Sequence, residues 1–144
     1  NSVEIRKEFQ AVPKIQCSPS QINQVFLNLI SNAAQAMEGR AEKGLITMRT
    51  LPEGEDMVRV EVQDNGSGIP ADVLPRIFDP FFTTKDIGKG TGMGLSISFK
   101  IIEQHGGKIL VDSEPGSGTV FSILLPVRAK VEAAVLMDDQ LEMA

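Results

Sequence analysis

The sequence contains one cysteine, Cys17, so no disulfide can form within the chain. Its stability must come from a core, and a reducing compartment is the expected setting. Beside Ile15, the Cys17 thiol reads as structural, not reactive. No apolar run approaches the roughly 18 residues a membrane-crossing helix needs. The opening residues do not look like a secretory leader either. A soluble, cytoplasmic piece is expected. Asn1-Ser2-Val3 reads as the interior of a longer protein, one compatible with a membrane-anchored parent. Lysine and arginine form no cluster and the formal charge is −5, which argues against nucleic acid as a partner. There are no internal repeats. What is left is ordinary globular composition: 144 residues, 42% hydrophobic and 23% charged, enough for one domain with a real core.

Alternation of Val3, Ile5, Lys7 and Phe9 against Glu4, Arg6 and Glu8 predicts a half-exposed strand. Pro13 ends it, and residues 14–17 suggest a short second strand. Ser18-Pro19-Ser20-Gln21 reads as a helix start, with Ser18 as cap, Pro19 at the first helical position and Gln21 completing a capping box. That helix should run to about Met37 and stop near Gly39. Strands at 45–51 and 57–63 follow, joined by Pro52-Glu53-Gly54-Glu55. Then come a glycine-rich turn at 64–70, a short helix over 71–77 and an irregular stretch from 78 to 91. A second long helix over 92–105 is stopped by Gly106-Gly107, and two strands at 108–112 and 119–125 close the pattern. The sum is an α/β two-layer sandwich: a mixed, mostly antiparallel sheet with helices on one face. It should occupy residues 1–126. Residues 127–144 read as a C-terminal tail or linker. Val135-Leu136-Met137-Asp138-Asp139 is faintly similar to the start of a response-receiver domain, but a linker or extra helix suits the alanine-rich tail better.

Four places could carry chemistry. On the first helix Ile22, Val25, Phe26, Leu29, Ile30, Ala33 and Met37 form an apolar stripe. Asn28 and Asn32 fall on its margin one turn apart. Such amides could hold a hard cation or a phosphate, or simply be solvated. In the second place, Asp64 is in phase with Val58, Val60 and Val62, not with Arg59 and Glu61. An inward carboxylate must find a donor; it either receives a ligand against the bulk-free turn Asn65-Gly66-Ser67-Gly68 or caps that turn. The third is Gly88-Lys89-Gly90-Thr91-Gly92-Met93-Gly94, leading into a helix. It suits a polyphosphate but has neither Walker nor dinucleotide-fold spacing, and a flexible surface loop is the alternative. Last, Thr119 is in phase with Phe121, Ile123 and Leu125, so its hydroxyl either serves the same ligand as Asp64 or is satisfied by backbone.

In this order the segments resemble the sensor histidine kinases, within a wider ATPase superfamily that includes DNA gyrase, mismatch-repair ATPases and a heat-shock chaperone. Gln24-Val25-Phe26-Leu27-Asn28-Leu29-Ile30-Ser31-Asn32-Ala33 is similar to the N box, and Asp64-Asn65-Gly66-Ser67-Gly68-Ile69-Pro70 to the first glycine box. Ile77-Phe78-Asp79-Pro80-Phe81-Phe82-Thr83-Thr84-Lys85 is similar to the F box, and Gly90-Thr91-Gly92-Met93-Gly94-Leu95-Ser96 to the second glycine box. Gly116-Ser117-Gly118-Thr119-Val120-Phe121 matches the closing strand motif. Each box alone is weak; together and in order they are specific.

The resemblance implies a Bergerat fold that binds ATP and Mg²⁺. Asp64 would accept from the adenine amino group, with Gly66, Gly68, Ile69 and Thr119 around the ring. Asn32 and Asn28 would hold Mg²⁺. Residues 78–91 would be a short ATP lid, Lys85 would reach the phosphates, and Gly90, Thr91, Gly92, Met93, Gly94 and Leu95 would cradle them. Gln35 departs from the pattern, standing where many relatives carry lysine.

The superfamily's hydrolases place a glutamate where this chain has Asn28, which cannot act as a base at neutral pH. Slow hydrolysis and phosphoryl transfer to another protein segment follow from that comparison. The only histidine, His105, is expected at a helix C-terminus where an imidazolium is favoured, and it is not the phosphoacceptor. The acceptor would lie on an upstream dimerisation and histidine-phosphotransfer domain. A response regulator would be the full-length kinase's further partner, and the domain alone would be monomeric. A serine-directed kinase on the same fold and a nucleotide-sensing binding module are the competing readings. The Phe-Pro-Phe-Phe segment argues against the first, and Asn32, Asp64 and the glycine turns against the second.

Overall fold

Val58, Val60 and Val62 alternate with Arg59, Glu61 and Gln63, and this gives the central strand two unlike faces. The computed structural model describes residues 2–40, 42–80, 82 and 94–128. The elements in chain order are β1 (Val3–Phe9), α1 (Pro19–Ala36), β2 (Gly44–Glu53), β3 (Met57–Asp64), a 3-10 turn (Leu74–Arg76), α2 (Gly94–Gln104), β4 (Lys108–Glu114) and β5 (Gly118–Pro126). The five-stranded sheet runs β1-β2-β3-β5-β4. β1 pairs parallel with β2, and the pairings β2–β3, β3–β5 and β4–β5 are antiparallel. This is the mixed sheet the sequence predicts.

α1 packs over β2 and β3, and α2 over β4 and against α1. Val25, Leu29 and Ala33 from α1 meet Ile101 and Ile102 from α2 above the inward valines of β3 and Phe121, Ile123 and Leu125 of β5. Each of these side chains larger than Ala33 contributes on the order of 1.5–3 kcal/mol by leaving water, so this layer carries the fold.

Several local expectations fail, for identifiable reasons. Residues 14–17 form no strand: Gln16 N–H reaches Val127 O (3.2 Å), but no ladder is built on it. The helix at 71–77 shrinks to the 3-10 turn. Val73 and Leu74 both donate to Pro70 O (3.0 Å each), but Pro75 has no N–H to extend that ladder. Ser18 does cap α1 with extended backbone, and Pro19 does open it. Its hydroxyl makes no cap bond, however, so no capping box forms with Gln21. β1 is also more exposed than expected. Its Ile5 aligns with Ile46 on the helix-bearing face, yet Val3, Ile5 and Phe9 remain 40%, 51% and 56% exposed. The described helices lie over β2 to β4 and stop short of this edge.

The ends of α2 and α1 are joined by a residue from each. His105 follows α2 and is buried; its Nε2 accepts the Ser18 N–H (3.1 Å) and its Nδ1 lies 2.7 Å from Ile101 O. An acceptor at Nε2 and a donor at Nδ1 define a neutral imidazole. The imidazolium expected at this helix end is therefore replaced by a neutral tether. Beyond it Gly106 turns left-handed (φ 77°) and Gly107 N–H returns to Ile102 O at 2.9 Å, closing the helix.

Candidate functional site

Strand register brings four residues into one row at an end of the sheet. Ile46 pairs with Asp64, Asp64 with Thr119, and Thr119 with Ser113. Directly paired residues in antiparallel strands share a face, with Cβ atoms about 5 Å apart. Asp64 and Thr119 are both buried on the helix side, at the position where the period-2 pattern of β3 predicts an inward carboxylate.

Asp64 Oδ1 accepts the Gly66 N–H at 2.8 Å. Burial pushes its carboxyl above the usual carboxylate range; backbone bonds from Gly66 and Thr119 and the positive charge of Arg40 pull the other way without cancelling it. The turn after it is folded by side chains on both flanks. Asn65 Oδ1 accepts the Leu45 N–H (2.8 Å) and its Nδ2 donates to Lys43 O (3.1 Å). Ile69 N–H donates to Ser113 Oγ (2.8 Å), and Gly116 N–H to Ser67 O (2.7 Å). Glycine is required twice here. A Cβ at Gly66 would lie 2.8 Å from Ala36 O at the end of α1, and one at Gly68 (φ 77°) would strike the Glu114 carbonyl.

Asn28 projects from α1 toward the start of α2. Its Nδ2 donates to Gly94 O and to Ser98 Oγ, both at 3.2 Å. Gly94 O can only accept, so the amide nitrogen is the atom turned to α2 and the oxygen is the one left to ligate. Among the described residues no cluster of three or more His, Cys, Asp or Glu could hold a metal. The Asn28 amide oxygen could ligate a hard cation together with a ligand's own phosphates. Asn32, one turn on, is half-buried. Gln35 donates to Ser31 Oγ (3.5 Å), and its buried Oε1 has no partner among the described residues.

Of the other candidates, Gly94 opens α2 and Leu95 packs at the core margin. Lys85, Gly90, Thr91, Gly92 and Met93 lie outside the described residues. Phe78 of the F box stacks 5.4 Å from Phe99 and 6.5 Å from Phe121, which anchors the start of that segment to α2 and β5. The row brings Asp64, Gly66, Gly68, Ile69 and Thr119 together, and Asn28 meets Gly94 on the neighbouring helix pair.

Sequence reasoning passed over two residues, Asn65 and Ser113. Ser113 had a readable signal, since it continues the inward phase of Ile109 and Val111 along β4. Asn65 had the weaker signal of a side chain able to close its own turn.

Known proteins resemble this chain in sequence and in fold. The family described as histidine kinase-, DNA gyrase B- and HSP90-like ATPase matches residues 17–129. Sporulation kinase E of Bacillus subtilis is 45% identical over 121 residues, covering 84% of this chain and 16% of that protein. Sensor histidine kinase ZraS of Escherichia coli K12 is 45% identical over 130 residues, covering 88% of this chain and 27% of its own length. The nucleotide-free catalytic domain of histidine kinase ThkA superposes with a TM-score of 0.73 at 34% identity, covering 88% of this chain and 79% of that one. The chain thus spans under a third of these curated relatives but most of a solved catalytic domain.

Proposed function

Because the chain belongs to this ATPase family, as an ATP-binding catalytic domain of the sensor histidine kinase type, we propose that it binds Mg-ATP and donates the γ-phosphate to a histidine on a separate dimerisation domain. The carrying observation is His105. It is the only histidine in the sequence, it is buried, and both ring nitrogens are engaged, by Ser18 N–H and Ile101 O. A phosphoacceptor needs a nitrogen free to attack, so the acceptor belongs to another segment.

Asp64 accepts from the adenine amino group, with Gly66, Gly68, Ile69 and Thr119 around the ring. Asn28 and Asn32 offer amide oxygens to magnesium, which would neutralise developing charge on the phosphates. Lys85, Gly90, Thr91, Gly92, Met93, Gly94 and Leu95 are assigned to the phosphates. Asn28 cannot take a proton from water, so transfer to a protein nucleophile is favoured over hydrolysis. A response regulator is the partner proposed for the whole kinase.

The test is to mix the chain with the upstream helical domain of its parent and labelled ATP. Acid-labile, base-stable phosphate on that domain is expected. Measured ATP binding with no transfer would reduce the chain to a nucleotide-binding module.

A further inference from the structure

Ser113 Oγ lies at the centre of three short contacts. Ile69 N–H donates to it at 2.8 Å, Gly118 O lies 3.1 Å away as an acceptor, and Thr119 Oγ1 lies at 2.8 Å. A serine hydroxyl has one proton. The amide of Ile69 can only give, and the carbonyl of Gly118 can only receive. All three contacts are hydrogen bonds in one arrangement alone: Ser113 gives its proton to Gly118 O, and Thr119 gives its proton to Ser113.

We infer that Ser113 is a positioning residue for base selection, because it consumes the Thr119 proton and leaves Thr119 Oγ1 able only to accept. Asp64 stands directly opposite Thr119 in the register, so two acceptors face the ligand side by side. An exocyclic amine, with two N–H groups, satisfies such a pair directly or through one water. A 6-oxo purine puts an acceptor where the amine would donate twice; its N1–H, one ring position away, can serve at most one of the pair, so a buried acceptor is left unpaired. Ser113 thus extends selectivity for 6-amino over 6-oxo purine nucleotides from β3 to the edge strand β4. It also ties the turn at Ile69 to the strand bearing Thr119, so the same hydroxyl sets both spacing and polarity. This rests on the adenine-site reading of Asp64 given above.

The experiment is the ratio of ATP to inosine triphosphate affinity, measured by calorimetry on the purified chain. Ser113→Ala frees the Thr119 proton to donate to a 6-oxo group, so the ratio should fall about tenfold, the worth of one hydrogen bond. Ser113→Thr, which keeps the hydroxyl, should restore it. In a Thr119→Val background, Ser113→Ala should leave the ratio where Thr119→Val alone put it. If Ser113→Ala does not fold, Ser113→Cys keeps the volume with a weak donor and should give a partial fall. A ratio unchanged in Ser113→Ala, or unchanged in a folded Ser113→Cys, overturns the inference even if the melting temperature drops. If Asp64→Asn collapses the ratio while Ser113→Ala preserves it, only this inference fails. A wild-type ratio near one that Asp64→Asn does not alter removes the adenine-site reading and this inference with it.

Discussion

Asp64 is a buried carboxyl whose burial favours the protonated form, while backbone bonds from Gly66 and Thr119 and, least, the charge of Arg40 favour the ionised one, so its two states have opposite consequences. Burial raises its folded-state pKa, which means the folded chain holds its proton more tightly than the unfolded chain. Across the window between the unfolded and the raised folded value, stability falls as pH rises; above it the buried charge is a fixed cost. Asp64→Asn removes that cost, so the urea midpoint at neutral pH should hold or increase. Adenine recognition should nevertheless be lost, because the acceptor pair becomes an amide with a donor. On the adenine-site reading, the ionised form is the one that rejects a 6-oxo purine. Discrimination between ATP and inosine triphosphate should therefore weaken as pH falls, starting above the ordinary carboxylate range. Taking the ratio cancels the titration of the phosphates themselves. A ratio flat to the bottom of the folded range would contradict an ionised Asp64 as the reader of the base.

At the scale of elements, side-chain bonds join strands to strands and helix to helix, and burial separates the two kinds. On the open face of the sheet Arg49 reaches Glu8, Glu61 and Gln63, while Arg59 reaches Glu53 and Glu61. These pairs are solvent-screened, and Arg59→Ala should cost no more than about 1 kcal/mol. The tether between α2 and α1 is different. His105→Ala strands the buried Ser18 N–H, at about 1–3 kcal/mol, and leaves a cavity besides. Its urea midpoint should fall well beyond that of Arg59→Ala at an unchanged m-value; equal midpoints would show the tether to be incidental. The tether also marks where local reading stops. Periodicity made β3, β5 and α1 legible, because Val58 to Asp64 and Ile22 to Met37 carry their own pattern of inside and outside. The failures at Ser18 and His105 arose because Ser18 N–H is satisfied from 87 residues away, which no capping rule can contain. The 71–77 helix failed on a local fact that was available, the missing N–H of Pro75. Within the site, the inward placement of Asp64 and Thr119 and the bulk-free turn at Gly66 and Gly68 were legible from phase and bulk. The hydrogen-bond fork at Ser113 depends on register between β4 and β5 and was not.

For the whole molecule, the proposed site straddles the fold: Asp64 and Thr119 come from the ends of the inner strands β3 and β5, and Asn28 comes from the helix layer. A ligand that bridges them binds only the folded chain, so it must stabilise the domain as a unit. At a hundredfold excess over Kd that amounts to about 2.7 kcal/mol, on the order of a 10 °C rise in melting temperature for a domain of this size. Asp64→Asn should abolish the rise. Asn28→Ala should lower the starting temperature, because it removes the bonds to Gly94 O and Ser98 Oγ that join α1 to α2. Its informative effect lies in the increment that magnesium adds to ATP. If the Asn28 oxygen ligates the ion, that increment should shrink toward the value for ATP in a chelator. An undiminished increment would leave Asn28 as a helix-to-helix strut and pass magnesium binding to Asn32 and the phosphates. Because both temperatures are read on the same variant, lost packing cancels and only the contribution of the ion remains.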